Sequence, residues 1–156
     1  MEVFFETYLD RLDALHKDIK VAIEGLPQAG LDWVPGEDIP SICILVTHLT
    51  GAERYWIGDI GGQDPSGRNR EAEFKVKGIG LPGIKRRLGE SSLYAHSLLE
   101  TMKLKDVEST RISPRHGERI TVAWALLHAL EHSAIHLGHI QLIRQLWDQR
   151  QDRLEE

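Results

Sequence analysis

Four stretches of the chain repeat apolar residues at threes and fours, and the turn-forming residues fall between them. From about Val3 to Gly25 the series is Phe4, Tyr8, Leu12, Leu15, Ile19 and Ile23, and Gly25 with Pro27 stops it. After the loop PQAGLDWVPGEDIP a second helix is predicted from about Ser41, an N-cap behind Pro40, to Ile60. The polar, Gly-rich run GGQDPSGRNREAEFKVKGIG follows, too long for a tight connection. A third helix starts near Leu81 or Pro82 and reaches Lys103, with Ile84, Leu88, Leu98 and Leu99 as core candidates. The run STRISPRHGERIT then holds two short alternating segments around His116 and Gly117, the pattern of a small hairpin. A fourth helix spans about Thr121 to Arg150, ahead of the polar tail DQRQDRLEE. Amphipathic helices of comparable length bury their stripes most economically on one another, so the chain is expected to be all-α. The expected form is a four-helix bundle forming one domain over residues 1–156, with a small hairpin before the last helix. The long second connection permits a crossover.

Composition narrows the function classes. The chain is 41% hydrophobic and 28% charged, ordinary for a soluble globular protein, and no apolar run approaches the roughly 18 residues of a membrane span. The N-terminus MEVFFETYLDRLDAL has no basic region ahead of a long apolar stretch, so a cytoplasmic protein is expected. A single cysteine, Cys43, excludes an internal disulfide and a cysteine-based zinc finger. A net charge of −5 lacks the basic footprint of a nucleic-acid binder, and the KRR run at 85–87 reads as a solvated helix face. The expected partner is a small-molecule substrate, with neither nucleic acid nor membrane.

The stretch HALEHSAIHLGH, residues 128–139, holds half of the chain's 8 histidines. At about 100° per residue, with His128 at zero, His139 falls at about 20°, His132 at about 40° and His136 at about 80°. Ala125, Ala129, Ile140 and Ile143 share that sector, which places the histidines on the predicted core stripe. Burying neutral imidazoles without partners costs about 1–3 kcal/mol each, and protonated ones packed together repel, so something must compensate them. On the second helix His48 stands on the stripe of Ile44, Leu45, Ala52 and Tyr55. Histidines at i and i+4 with a third from a neighbouring helix can ligate one metal ion. The favoured set is His48, His132 and His136, with His128 and His139 as alternative ligands or outer-sphere groups and Glu131 orienting a ligand. A buried hydrogen-bond network, or half-exposed histidines at an oligomer interface, would also account for the cluster. His128 to His132 matches H-x-x-E-H, the inverted zinc-protease signature, but a bundle of this size lacks the lobes that grip a peptide and offers no clear downstream acidic ligand.

The W-x-P and S-I-x-x-x-x-x-H-L-x-G-A-E-R-Y-W-I-G run at 33–58, the R-N-R-E-A-E-F at 68–74 and the histidine stretch together resemble the DinB-like superfamily, which includes the YfiT-like metal-dependent hydrolases. The resemblance covers nearly the whole chain. It implies an up-down-down-up four-helix bundle, often dimeric, with a divalent metal on one histidine of the second helix and two of the last, which fall on His48, His132 and His136. Related proteins read E-E-T-A-R-H-x-G-H where this chain has E-H-S-A-I-H-L-G-H, so His132 replaces a glutamate while His139 follows the variant.

A neutral three-histidine site would leave a divalent ion with an exchangeable position, able to activate water for hydrolysis or a thiol for attack on an electrophile. Members of the superfamily include S-transferases and a maleylpyruvate isomerase that use low-molecular-weight thiols, and by that resemblance thiol transfer is favoured over hydrolysis. Zinc or nickel is the favoured metal, with iron allowed, and a low-molecular-weight thiol is the implied cosubstrate. Tyr55, Trp56 and Trp124 are candidate pocket walls, Glu53 and Glu131 candidate acid/base groups, and Arg54 and Arg144 candidate anion contacts. Against these stands a non-catalytic reading, a stress-related dimeric module whose metal pins two helices. Phe4, Phe5 and Trp147 are the apolar candidates for the dimer contact.

Overall fold

A computed structural model describes residues 1–113 and 117–155. The first helix, α1 (Val3–Ala22), buries Phe5, Tyr8, Leu9, Leu12 and Ile19, and the chain leaves it through Gly25, whose φ of +73° a side chain would resist. Pro27 starts a single turn, α2 (Gln28–Leu31), inside what the sequence presents as loop. Ser41 caps α3 (Ile42–Glu53), its Oγ accepting from the backbone N–H of Ile44 at 3.3 Å. The backbone then widens without a break into a π-helical segment, Arg54–Gly62, which carries the predicted helix just past Ile60 and ends at Gln63 in the left-handed region, φ 53°.

Within the long connection one turn, α4 (Arg70–Glu73), is capped by the side chain of Asn69. Next comes α5 (Leu81–Leu99), shorter than the predicted span to Lys103, where a 3₁₀ turn at Leu104–Glu108 takes over. The expected hairpin is present: β1 (Thr110–Ile112) pairs antiparallel with β2 (Arg119–Thr121), Arg111 opposite Ile120. His116, at its predicted turn, lies outside the described residues. The last helix, α6 (Val122–Glu155), continues past the predicted end at Arg150 into the polar tail.

Helix direction follows from what each end packs against. One apolar cluster joins Phe5 and Leu12 of α1 to Ala52 and Trp56 at the end of α3, Ala95 and Leu99 at the end of α5, and Val122 and Ala129 at the start of α6. The other joins the opposite ends, Ile19, Leu45, Leu88 and Ile140 among them. So α1 and α6 run one way while α3 and α5 run the other, which is the up-down-down-up order. Helix α1 packs on α5 and α6, and α3 packs on the same two, leaving α1 and α3 across the diagonal. Because α3 and α5 are parallel, the chain must return the length of the bundle between them, and residues 63–80 are that return.

A polar layer separates the two clusters. Glu53 of α3, 1% exposed, accepts from His16 of α1 at 2.9 Å, Ser91 of α5 at 2.5 Å and Ser133 of α6 at 2.6 Å, so all four long helices meet on one carboxylate. Glu53, weighed from sequence as an acid/base group, is thereby a core residue.

Candidate metal centre

The seam between α3 and α6 carries the histidines. His48 is buried, while His132 and His136, one turn apart, are half-buried. Their rings converge: Nε2 of His132 lies 3.2 Å from Nε2 of His48 and 3.2 Å from Nε2 of His136. The three nitrogens lie within 4.8 Å of one another. A tetrahedral ion with nitrogen bonds of 2.0–2.1 Å needs ligand separations of about 3.3 Å, close to the two that His132 makes. One ring proton can satisfy only one of the two contacts at Nε2 of His132, whereas a cation in the middle satisfies both.

Two environments prepare the nitrogens. Burial, reinforced by the neighbouring imidazoles, pulls the pKa of His132 down to about 3 and that of His136 to about 4, so both keep their lone pairs at neutral pH. His48 is oriented from behind by Glu73 of α4, whose Oε2 lies 2.9 Å from its Nδ1. A proton on Nδ1 for that bond leaves Nε2 bare toward His132. Burial alone would raise the Glu73 pKa, but the bonds from Arg68, Nε at 2.6 Å and Nη2 at 2.8 Å, with His48, outweigh it and hold the carboxyl below its usual range. Gly51 makes the arrangement possible, because a Cβ there would run into the Glu73 carboxylate. The Nδ1 of His132 is buried without an acceptor among the described residues, so none of them backs His132 as Glu73 backs His48.

The other histidines of the stretch fall to either side. His139 is exposed, with Nδ1 3.3 Å from Nδ1 of His136, an outer-sphere position. His128 stacks flat on Trp124, rings 4.8 Å apart at 9°, and its centroid is 6.0 Å from that of His132, outside the three-nitrogen group. The histidines as a set stand beside the core stripe rather than on it: Ala125, Ala129, Ser133, Leu137 and Ile140 fill the core, and the imidazoles line its edge. Glu131 projects into solvent, 71% exposed and 3.8 Å from His128, so the orienting carboxylate is Glu73 and not Glu131.

A cleft of about 200 Å³ opens over His48 and His132, walled by Tyr55, Trp56 and His128 and rimmed by Arg68 and Arg70. Of the three predicted aromatic walls, Tyr55 and Trp56 line it, while Trp124, 45% exposed, backs it through His128. The Tyr55 hydroxyl is tied to Ser113 at 2.9 Å. The two arginines anticipated as anion contacts are engaged elsewhere, Arg54 with Asp59 and Asp64, and Arg144 with Asp148 and the carbonyls of Ala22 and Glu24. Glu73 and Arg68 carry no periodic signal, and only their place in the R-N-R-E-A-E-F run sets them apart in the sequence.

Comparison with known proteins agrees with this fold. The mycothiol-S-transferase family model matches residues 7–149. Among solved structures, YfiT from Bacillus subtilis, described as a probable metal-dependent hydrolase with an unusual four-helix bundle topology, superposes with a TM-score of 0.76 at 18% identity, covering 95% of this chain and 90% of that one. A conserved protein from Enterococcus faecalis gives a TM-score of 0.72 at 16% identity, covering 94% of this chain and 97% of the other. Curated proteins yield no match.

Proposed function

Since the chain belongs to the mycothiol-S-transferase family, we propose that it is a metal-dependent enzyme that transfers a low-molecular-weight thiol to a small electrophile, with a divalent ion held by His48, His132 and His136. The observation that carries this reading is the convergence of three ring nitrogens beside an open cleft. An ion bound there would supply a Lewis acid that lowers the pKa of a thiol in the cleft toward neutrality. The chain's own groups do the rest. Glu73 keeps the His48 proton on Nδ1, and Arg68 keeps Glu73 ionised. Trp56 and Tyr55 cover the apolar side of the cleft and exclude water from the attacking sulfur. His128, at the cleft wall and outside the three-nitrogen group, is positioned to pass the thiol's proton to solvent. In the reaction the carbon–sulfur bond forms and the leaving group departs with its electron pair. Zinc or nickel is the favoured ion, and three imidazole ligands would accommodate iron or copper as well.

The test is an assay of metal-loaded protein with mycothiol and an aromatic halide, run beside ester and amide substrates. Turnover with the thiol should exceed that of the His48, His132, His136 triple alanine variant by at least about a hundredfold. Ester or amide cleavage without thiol transfer would instead make the protein a hydrolase, and no turnover with any of them would leave a binding module. His132→Ala or His136→Ala alone should abolish stoichiometric metal binding and leave the helical spectrum intact; unchanged metal content would remove the assignment.

A homodimer is part of the same reading. The residues nominated from sequence are taken up by the chain's own packing, Phe5 and Trp147 buried and Phe4 partly so, but α6 exposes Trp124, Leu127, Ile135 and Leu142. That unpartnered apolar face supports association through α6, and a monomeric mass in sedimentation at micromolar concentration would rule it out.

A further inference from the structure

We infer that the metal-facing cleft selects a planar electrophile bearing a carboxylate, with Arg70 as the residue that reads the charge. The inference rests on the cleft being the substrate site, as proposed above, and deepens it.

Three features meet there. The first is size. The cleft over His48 and His132 holds about 200 Å³, below the roughly 300 Å³ at which drug-sized ligands begin to fit, and it joins an outer pocket of about 730 Å³ through Tyr55, Arg68 and Arg70, which line both. The smaller reactant therefore belongs inside and the bulk of the thiol outside. The second is shape. Trp56 and His128 both line the cleft and meet edge-on at 4.8 Å, so a flat ring there can stack on one of them while meeting the other edge-on.

Charge is the third. Of the two guanidinium groups at the rim, Arg68 is neutralised by Glu73, its partner through two bonds. Arg70 has no carboxylate partner among the described residues; its guanidinium lies 4.8 Å over the Phe74 ring, which in turn lies 4.8 Å from the His48 ring. It is thus held one ring away from the metal-facing nitrogens with its donors free. Among the described residues that line the cleft, Arg70 is thus the guanidinium that no carboxylate neutralises. A planar molecule lying against Trp56 and His128 with a carboxylate at its edge would meet both.

Equilibrium dialysis with two unreactive probes, 3,5-dinitrobenzoate and 1,3-dinitrobenzene, tests this without turnover, on metal-free and zinc-loaded protein. The wild type should bind the benzoate about tenfold more tightly than the neutral ring in both forms, the effect of one partly screened charge-assisted hydrogen bond. Arg70→Ala should remove that preference and leave binding of 1,3-dinitrobenzene unchanged, and Arg70→Lys should restore part of it. A preference that survives in Arg70→Ala would assign the carboxylate to Arg68 or to the ion and overturn the inference, as would a wild type that binds the two probes equally. Because neither probe reacts, a failed thiol assay leaves this result standing, and equal binding of the probes leaves thiol transfer standing.

Discussion

At the scale of single residues the site depends on where a few protons reside. His48 presents a bare Nε2 only while Glu73 holds its other proton, so Glu73→Gln, which keeps the shape and loses the charge, should weaken metal binding by about 10- to 100-fold. Competition with a chromophoric chelator would measure it, and an unchanged affinity would mean that the 2.9 Å contact does nothing for the ligand. The depressed pKa values of His132 and His136 carry a second consequence. Below about pH 6.5 the unfolded chain takes up protons on these rings that the folded chain refuses until about pH 3 for His132 and about pH 4 for His136, so the metal-free protein loses stability as pH falls through that window. Glu73, with its pKa lowered, adds a loss of the same sign, but only below the ordinary carboxylate range. Thermal melts between about pH 5 and 6.5 therefore isolate the histidines, and the wild type should lose Tm across it more steeply than a His132→Ala, His136→Ala double variant. Parallel curves would show that the two rings do not titrate as their burial requires.

At the scale of elements, α3 owes its length to a change of backbone. The π-helical continuation at Arg54–Gly62 keeps Tyr55, Trp56, Ile57 and Ile60 buried, extending the run of buried neighbours that α3 already holds from Leu45 to Thr50. It ends at Gln63, a non-glycine residue with φ at 53° and an exposed side chain. Gln63→Gly should raise stability by about 0.5–1 kcal/mol, read from the urea midpoint, and a loss instead would mean that the side chain has a contact worth more than the strain. Helix existence was legible in the sequence because spacing of threes and fours survives any error in boundary. The facing of α6 was not. This helix is apolar on two sides, Ala125, Ala129 and Ile140 in the core and Leu127, Ile135 and Leu142 outside, so no pattern within it distinguishes the stripe it buries from the one it shows. His48, His132 and His136 were legible as a group for a related reason: three imidazoles among apolar neighbours on two helices need a common partner. Glu73 was not, since it reaches His48 from a turn 25 positions away across an irregular loop.

At the scale of the molecule, the four helices are fixed to one another at mid-height by the Glu53 carboxylate. Removing it in Glu53→Ala would strand the His16 ring and the hydroxyls of Ser91 and Ser133 in the core, at a cost of about 3–5 kcal/mol. Urea unfolding would register the loss, and a cost under about 1 kcal/mol would show that water fills the layer. The same layer was invisible in the sequence, where a single polar residue on each of four helices looks like ordinary amphipathic variation.

The parallel pairing of α3 with α5 obliges the polypeptide to travel back along the whole height of the bundle, and that obligatory traverse delivers Arg68 and Arg70 to the mouth of the cleft and Glu73 to the back of His48. The three imidazoles sit on rigid rods while the arginine rim of the cleft sits on a strap with little part in the core. Substitutions along the strap that spare Arg68 and Glu73 can thus reshape the rim without disturbing the nitrogens beneath, so related chains that share the three imidazoles should diverge first between positions 64 and 67.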